Sequence, residues 1–161
     1  MPRSSRWFLL AAVVVVVDYV TKIAVLGTFA PGEGVALAPF FNLVLVFNKG
    51  AAFSFLAAAQ GWQTLFFAAI AIVAAAVISF MIVKNPEKSL FCAALALILG
   101  GALGNLYDRI AYGHVVDFLD FHAAGWHFPA FNAADSAITV GAGMLILESF
   151  MHREAAHDKR S

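Results

Sequence analysis

The sequence predicts an all-α membrane bundle of four transmembrane helices with a small extracytoplasmic β-sheet. Three observations predict it. Of the 161 residues, 62% are hydrophobic and only 12% are charged, with a mean hydropathy of +0.85, whereas soluble domains are roughly half apolar and about a quarter charged. Four segments approach the roughly 20 residues that a helix needs to cross a bilayer. The basic residues are segregated, with seven of the ten lying beside alternate ends of those segments.

Trp7 to Leu26 forms the first span, interrupted only by Asp18, Thr21 and Lys22. Leu65 to Val83 is a charge-free second span, and Leu90 to Tyr107 is a third, free of charge until Asp108. Ala133 to Phe150 is the fourth; it contains Asp135 and Glu148, and its uninterrupted apolar centre, Ala137 to Leu147, is short for a span. Arg3 and Arg6 precede the first span, Lys84 and Lys88 flank the 84–89 turn, and Arg153, Lys159 and Arg160 follow the fourth. By the positive-inside rule both termini are then cytoplasmic, and segments 27–61 and 109–132 are outside. A cleavable signal peptide is the rival reading of the N-terminus, with an apolar run from Trp7 to Val17. The charge pair Asp18 and Lys22 suits a functional helix better than a passive leader.

The first outer segment carries turn signals at Pro31, Gly32 and Gly34, then a run of branched and aromatic residues too short to span. It reads as a strand from Asn42 to Phe47, a turn at Asn48-Lys49-Gly50, and a second strand from Ala51 to Phe55. Such an apolar sheet would rest on the bilayer surface or cover a groove. The second outer segment holds His114, Asp117, Asp120, His122, Trp126 and His127, and Trp126 fits an interfacial aromatic belt. The chain reads as a single domain over 1–161. It has no basic stripe for nucleic acid, and the single cysteine, Cys92, excludes an internal disulfide or a Cys-rich metal site.

Polar groups at membrane depth are costly, so each needs a partner or a task. Asp18 and Lys22 are spaced i, i+4 with the acid first, which suits an ion pair. That pair either pins the first helix to the bundle or borders and orders a site. Gly100 and Gly104 form a small-xxx-small face for close helix approach. Packing does not explain Asn105 or the Asp108-Arg109 pair. Asn105 and Arg109 share a helix face that would offer an amide and a guanidinium to a peptide backbone, although Arg109 alone also suits snorkelling to headgroups.

Asp117 and Asp135 lie eighteen residues apart, one in the outer loop and one at the head of the fourth helix. The third helix exits and the fourth enters at one interface, so topology returns both acids there. Two carboxylates sharing a site do not both ionise readily, and they titrate as a unit. Together they supply a base to activate water and an acid to polarise a carbonyl, with no cofactor and no covalent intermediate. Asp135 also fits the plainer role of an early-turn helix acid. Competing chemistry is thinner. The three loop histidines show no HExxH-type zinc spacing, and nothing fixes the geometry of Ser54 and Lys49 for nucleophilic attack. Cys92 reads as packing.

At these residues the sequence resembles the lipoprotein signal peptidase family, also called signal peptidase II. The resemblance runs through Asp18-x-x-x-Lys22, Asn48-Lys-Gly-Ala-Ala-Phe-Ser54, Gly100-Gly-Ala-Leu-Gly-Asn105-Leu-Tyr-Asp-Arg109, Val115-Val-Asp117-Phe and Phe131-Asn132-Ala-Ala-Asp135-Ser. It implies an aspartyl peptidase of the bacterial inner membrane that cuts prolipoproteins just before a diacylglyceryl-modified cysteine. Carried over by motif, Asp117 and Asp135 are the expected catalytic dyad. Asn48, Asn105, Arg109 and Asn132 are expected to hold the substrate backbone and the dyad, with Asp18 and Lys22 in support. The expected partners are diacylated prolipoproteins and membrane lipid, with no nucleic acid, no metal and no cofactor. The chain is expected to work as a monomer, with its site at the periplasmic face. A small transporter or proton-relay subunit is the alternative, but it would spread carboxylates through membrane depth instead of gathering them at one face.

Overall fold

The computed structural model describes residues 2–50 and 62–158. Its elements in chain order are α1 (Ser5–Leu26), β1 (Gly34–Ala38), β2 (Phe41–Asn48), α2 (Trp62–Lys84), α3 (Ser89–Tyr112), β3 (Val115–Ala123), β4 (Trp126–His127) and α4 (Ala133–Asp158). All four helices are long and apolar enough to cross a membrane, and α4 is the least apolar of them. Each helix includes one of the expected spans and extends beyond it. In particular α3 continues to Tyr112, so Arg109 is helical and not the first residue of an outer loop. The helix stops where Gly113, at φ +75°, takes the left-handed conformation and donates its N–H to Arg109 O.

α3 is the central helix. It packs against α1, α2 and α4, and eleven of its residues are buried, against four in α1 and four in α2. Small residues make this possible. A Cβ on Gly100 would meet the Ala11 carbonyl of α1 at 2.6 Å, and one on Gly104 would meet Asp18 Oδ2 at 2.5 Å. The small-xxx-small face therefore faces α1, as its spacing predicts. A buried apolar cluster of Ala11, Ile78, Ile82, Leu95, Ala96 and Leu99 joins the first three helices. The outer helix faces remain apolar, with Leu9, Val16, Leu65, Val73, Phe80 and Ile146 exposed, as lipid-facing surfaces require.

The two ends of the bundle differ. At one end Trp7 Nε1 and Arg6 Nη2 donate to the Pro86 carbonyl, at 3.1 and 3.3 Å, so the start of α1 is tied to the α2–α3 turn. Lys84 and Lys88 reach over the Phe80 and Phe91 rings at this same end. At the other end lies a four-stranded antiparallel sheet in the order β1-β2-β3-β4. Val25 of α1 with Leu45, Val116 and Phe118 of the sheet forms a second buried cluster that seats it on the helices.

The sheet exists as expected but is built differently. β2 contains the predicted Asn42–Phe47 strand, and its neighbours are β1 and β3. The predicted partner strand, Ala51–Phe55, lies outside the described residues, as does Ser54. The segment 109–132, read as loop, supplies β3 and β4. Its alternation is masked because β3 is buried on both faces for most of its length.

Candidate active site

Four elements bring the site together. β3 begins two residues after the Gly113 cap and carries Asp117, which is 2% exposed. β2 delivers Asn48. In the ladder Val46 lies opposite Asp117, so Asn48, two residues on, is the diagonal neighbour on the same face. The chain then returns beside β3. Phe118 N and Leu119 N both donate to Phe131 O, at 3.0 and 2.8 Å, and Phe131 N donates to Leu119 O at 3.1 Å. That ladder sets Asn132 next to Asp117 and starts α4 there.

Asn132 and Asp135 form a reciprocal cap at the head of α4. Asp135 N donates to Asn132 Oδ1 at 2.9 Å, and Asn132 N donates to Asp135 Oδ2 at 3.3 Å. This is the geometry of a capping box, with Asn and Asp in the places usually taken by Ser or Thr and Glu. The plainer reading of Asp135 as an early-turn helix acid is thus correct as far as it goes. It is incomplete, because Asp135 Oδ1 also accepts the Asn105 amide from α3 at 2.7 Å.

Three asparagines point their amide NH2 groups at the two carboxylates. Asn48 Nδ2 donates to Asp117 Oδ2 at 3.0 Å, Asn132 Nδ2 to Asp117 Oδ1 at 2.7 Å, and Asn105 Nδ2 to Asp135 Oδ1 at 2.7 Å. In each case a donor on the other side fixes which way the amide faces. Asn48 Oδ1 accepts Gly50 N at 2.8 Å, Asn132 Oδ1 accepts Asp135 N, and Asn105 Oδ1 accepts Lys22 Nζ and Asn132 Nδ2, both at 3.1 Å. Asn105 therefore has both ends of its amide committed to the site and serves the carboxylates, leaving a peptide backbone to other groups.

Behind the asparagines sits a buried charge cluster. Lys22 Nζ contacts Asp18 Oδ2 at 2.7 Å, Asp108 Oδ2 at 2.8 Å and Asn105 Oδ1 at 3.1 Å. Three acceptors match the three hydrogens of an ammonium. Asp18 Oδ1 accepts Ala134 N at 2.9 Å, and Asp108 Oδ2 accepts Val116 N at 3.0 Å. Asp18 and Lys22 thus both pin the helix and border the site, so the two readings of that pair describe one arrangement. Asp108, not assigned to the site from sequence, is its main addition. The signal was present, since a buried lysine with one acid on its own helix still has two donors to place.

Arg109 is half-buried. Its Nη1 donates to Asn105 O at 3.0 Å, its guanidinium lies 5.4 Å from the Phe67 ring centre, and it is within electrostatic reach of Asp135, Asp108 and Asp117. It faces the polar cluster instead of only snorkelling outward. Asp120 and the loop histidines lie apart. Asp120 accepts Asn42 Nδ2 at 2.8 Å and is bonded to His127 Nδ1 at 2.9 Å, with the His122 ring stacked on His127. Cys92 is fully buried, and its thiol donates to Asn85 O at the opposite end of the bundle.

Burial pushes the Asp117 carboxyl up, and the neighbouring Asp135 pushes it further. Hydrogen bonds from Asn48 and Asn132 and the Lys22 charge pull the other way, and the balance leaves it raised to about 7. A carboxyl that exchanges its proton near neutral pH, beside a second carboxyl, suits acid–base chemistry on water and an amide.

Comparison with known proteins agrees with this arrangement. The family described as Signal peptidase (SPase) II matches residues 10–151. The lipoprotein signal peptidase of Paraburkholderia phymatum is 56% identical over 144 residues, covering 89% of this chain and 87% of that protein. That of Paraburkholderia phytofirmans is 58% identical over the same length, covering 89% and 84%. A bacterial membrane enzyme solved by the in meso method at 1.9 Å superposes with a TM-score of 0.80 at 34% identity, covering 89% of this chain and 92% of that one. The chain belongs to the signal peptidase II family.

Proposed function

We propose that Asp117 and Asp135 are the catalytic pair with which this aspartic peptidase removes the signal peptide from diacylglyceryl-modified prolipoproteins, just before the lipidated cysteine. The observation that carries the assignment is the shared asparagine. Asn132 donates through its side chain to Asp117 and through its backbone to Asp135, so one residue sets the spacing of both acids. A water held between them gives a proton to one carboxylate as its oxygen attacks the scissile carbonyl carbon. The other carboxyl gives its proton to the carbonyl oxygen. As the C–N bond of the tetrahedral intermediate breaks, the carboxyl that took the water proton gives it to the departing cysteine nitrogen and a gem-diol hydroxyl returns its proton to the other carboxylate, which restores the pair. Asp117, titrating at about 7, exchanges its proton readily at neutral pH.

Asn48, Asn105 and Asn132 hold the pair, Asp18 and Lys22 anchor Asn105 and the head of α4, and Arg109 faces the substrate backbone. A helical signal peptide must unwind at the cut, and the freed backbone groups need partners within the bundle. The substrate's acyl chains stay in the bilayer, and membrane lipid is the enzyme's surrounding partner. The sheet exposes Val35, Leu37, Phe40, Phe47 and Phe121, an apolar surface suited to lie at the headgroup boundary and shelter the site. The positive end, with Arg3, Arg6, Lys84 and Lys88, faces the cytoplasm under the positive-inside rule. Both termini are then inside, and the site opens at the periplasmic face of the inner membrane. In this reading the chain works as a monomer forming one domain over 1–161.

The purified protein should release from a diacylated prolipoprotein a peptide whose mass ends at the residue before the lipidated cysteine. Cleavage at another bond, or cleavage undiminished in Asp117→Asn or Asp135→Asn, overturns the assignment. For orientation, a cysteine placed at the exposed Ala124 turn should react with an impermeant label once the outer membrane is permeabilised. Protection there would reverse the topology.

A further inference from the structure

The charge cluster behind the dyad has a symmetry that the reaction alone does not call for. Each catalytic aspartate follows a residue whose backbone N–H is held by a buried carboxylate. Val116 N, just before Asp117, donates to Asp108; Ala134 N, just before Asp135, donates to Asp18. Both carboxylates are held in turn by the single ammonium of Lys22. We infer that Asp108 is a positioning residue, whose carboxylate grips the backbone carrying Asp117 and keeps it in register with Asp135. The inference rests on the assignment of Asp117 and Asp135 as the dyad.

The geometry favours positioning over simple charge balance. Asp18 alone neutralises Lys22, at 2.7 Å and on the same helix. The trio as a whole carries one excess negative charge, so Asp108 is not needed to neutralise the lysine, although it accepts one of the three ammonium hydrogens. A second buried carboxylate is costly to keep. What it adds is a bond across two elements, from the last turns of α3 to Val116, the second residue of β3, between which Gly113 breaks the backbone direction. Without that bond the backbone on the N-terminal side of Asp117 is held by the ladder with β2, which carries a register shift between Leu43 and Val46, while the pairing with Phe131 begins only at Phe118 on its other side. Asp108 touches neither water nor peptide in this scheme and acts through Asp117.

The charge count also makes Asp108 the member of the trio that can be tested. Removing Lys22 would strand two buried carboxylates, and removing Asp18 would free the head of α4. Removing the Asp108 carboxylate leaves a neutral Lys22–Asp18 pair. Asp108→Ala and Asp108→Asn would be compared with the unmodified full-length protein in detergent, using a diacylated prolipoprotein and reading kcat, KM and thermal unfolding. Asp108→Ala should fold and lower kcat by about 100-fold, the scale of an ångström-sized misplacement of a catalytic group, with KM changed less than about twofold. Asparagine keeps an oxygen that can accept Val116 N–H, so Asp108→Asn should stay within about tenfold of the unmodified kcat. A loss below about tenfold in Asp108→Ala, a loss expressed in KM instead of kcat, or an asparagine variant no better than alanine overturns the role. Should the alanine variant not fold, the asparagine variant decides, with support inside that tenfold limit and refutation beyond it. Asp117→Asn, assayed alongside, keeps the two ideas apart. If it cleaves, the dyad assignment fails; if it is inactive while Asp108→Ala keeps its kcat, only the positioning role fails.

Discussion

Asp117 and Asp120 sit on one strand, three residues apart, and leave opposite faces of it. Both are buried by surface, at 2% and 8% exposed, and both accept an asparagine amide from β2, Asn48 in one case and Asn42 in the other. Their titration nevertheless moves in opposite directions. Burial raises Asp117, the nearby Asp135 adds to it, and it reaches about 7. Burial raises Asp120 too, but the Asn42 amide and the His127 and His122 rings outweigh it and leave Asp120 below the usual carboxylate range. The difference lies in the company each acid keeps. A second carboxylate makes a proton-exchanging group, whereas a histidine makes a fastened anion. With Asp117 as the proposed catalytic acid, the same strand carries a chemical face and a structural face.

The sharpest way to break that contrast is to neutralise the acids one at a time. Asp117→Asn and Asp135→Asn should each lower the cleavage rate by about a thousandfold or more, the upper range of acid–base contributions. Asp120→Asn should stay within about threefold, since it gives up a surface clasp and no chemistry. Initial rates on a diacylated prolipoprotein, normalised to folded protein, decide it. A large loss at position 120 would show that the two faces are not separate.

Arg109 sharpens the comparison from the dyad's own side. Its planar fork donates to Asn105 O and lies over the Phe67 ring, and an ammonium can do neither in the same way. Arg109→Lys should cost on the order of 2 kcal/mol of transition-state stabilisation, about thirtyfold in rate, with normal thermal stability. A lysine variant that cleaves normally would return Arg109 to an interface anchor.

The sequence carried more of the site than of the sheet. Asp135 sits at a capping spacing from Asn132, and Asn105 with Arg109 at a helical one, and these local periods survive folding; Asp117 lies on a strand with no polar partner at such a spacing. The four spans were legible because lipid permits only long apolar helices. β3 was not, because Val115 to Asp120 is mostly buried on both faces and shows no alternation. Asp108 had no assigned role in the sequence because its partners, Lys22 and the Val116 N–H, come from another helix and from the far side of a glycine cap. Contacts of that kind have no sequence period.

The pH profile gives the next, smaller effect. In the proposed mechanism one proton on the pair is required for the acid step, and Asp117 releases its proton at about 7. kcat/KM should therefore fall above about pH 7, approaching tenfold per pH unit. Asp120→Asn should leave that inflection where it is. A profile flat to pH 9 would remove Asp117 from the proton inventory.

Stability should show the two faces with opposite signs. The folded state raises Asp117 from its ordinary 3.8 to about 7. Ionising it therefore weakens the fold progressively between those values, and fully above the upper one. Asp117→Asn has no such titration, so its melting temperature relative to the unmodified protein should climb from pH 4 to pH 8, whatever the fixed cost of the altered hydrogen bonds. Asp120 is lowered in the fold, so its carboxylate adds stability above the ordinary carboxylate range and loses it as pH falls through the folded value. Asp120→Asn should therefore lie below the unmodified protein at pH 7, and the gap should close on acidification. The gap should be small, about 1 kcal/mol at most, because the His127 side chain is 55% exposed and solvent screens the pair. Melting curves in one detergent from about pH 2.5 to pH 8, a range that reaches below the ordinary Asp value, would test both variants together. Parallel curves for the two would mean that burial alone governs both acids and that their neighbours do not divide the strand into two faces.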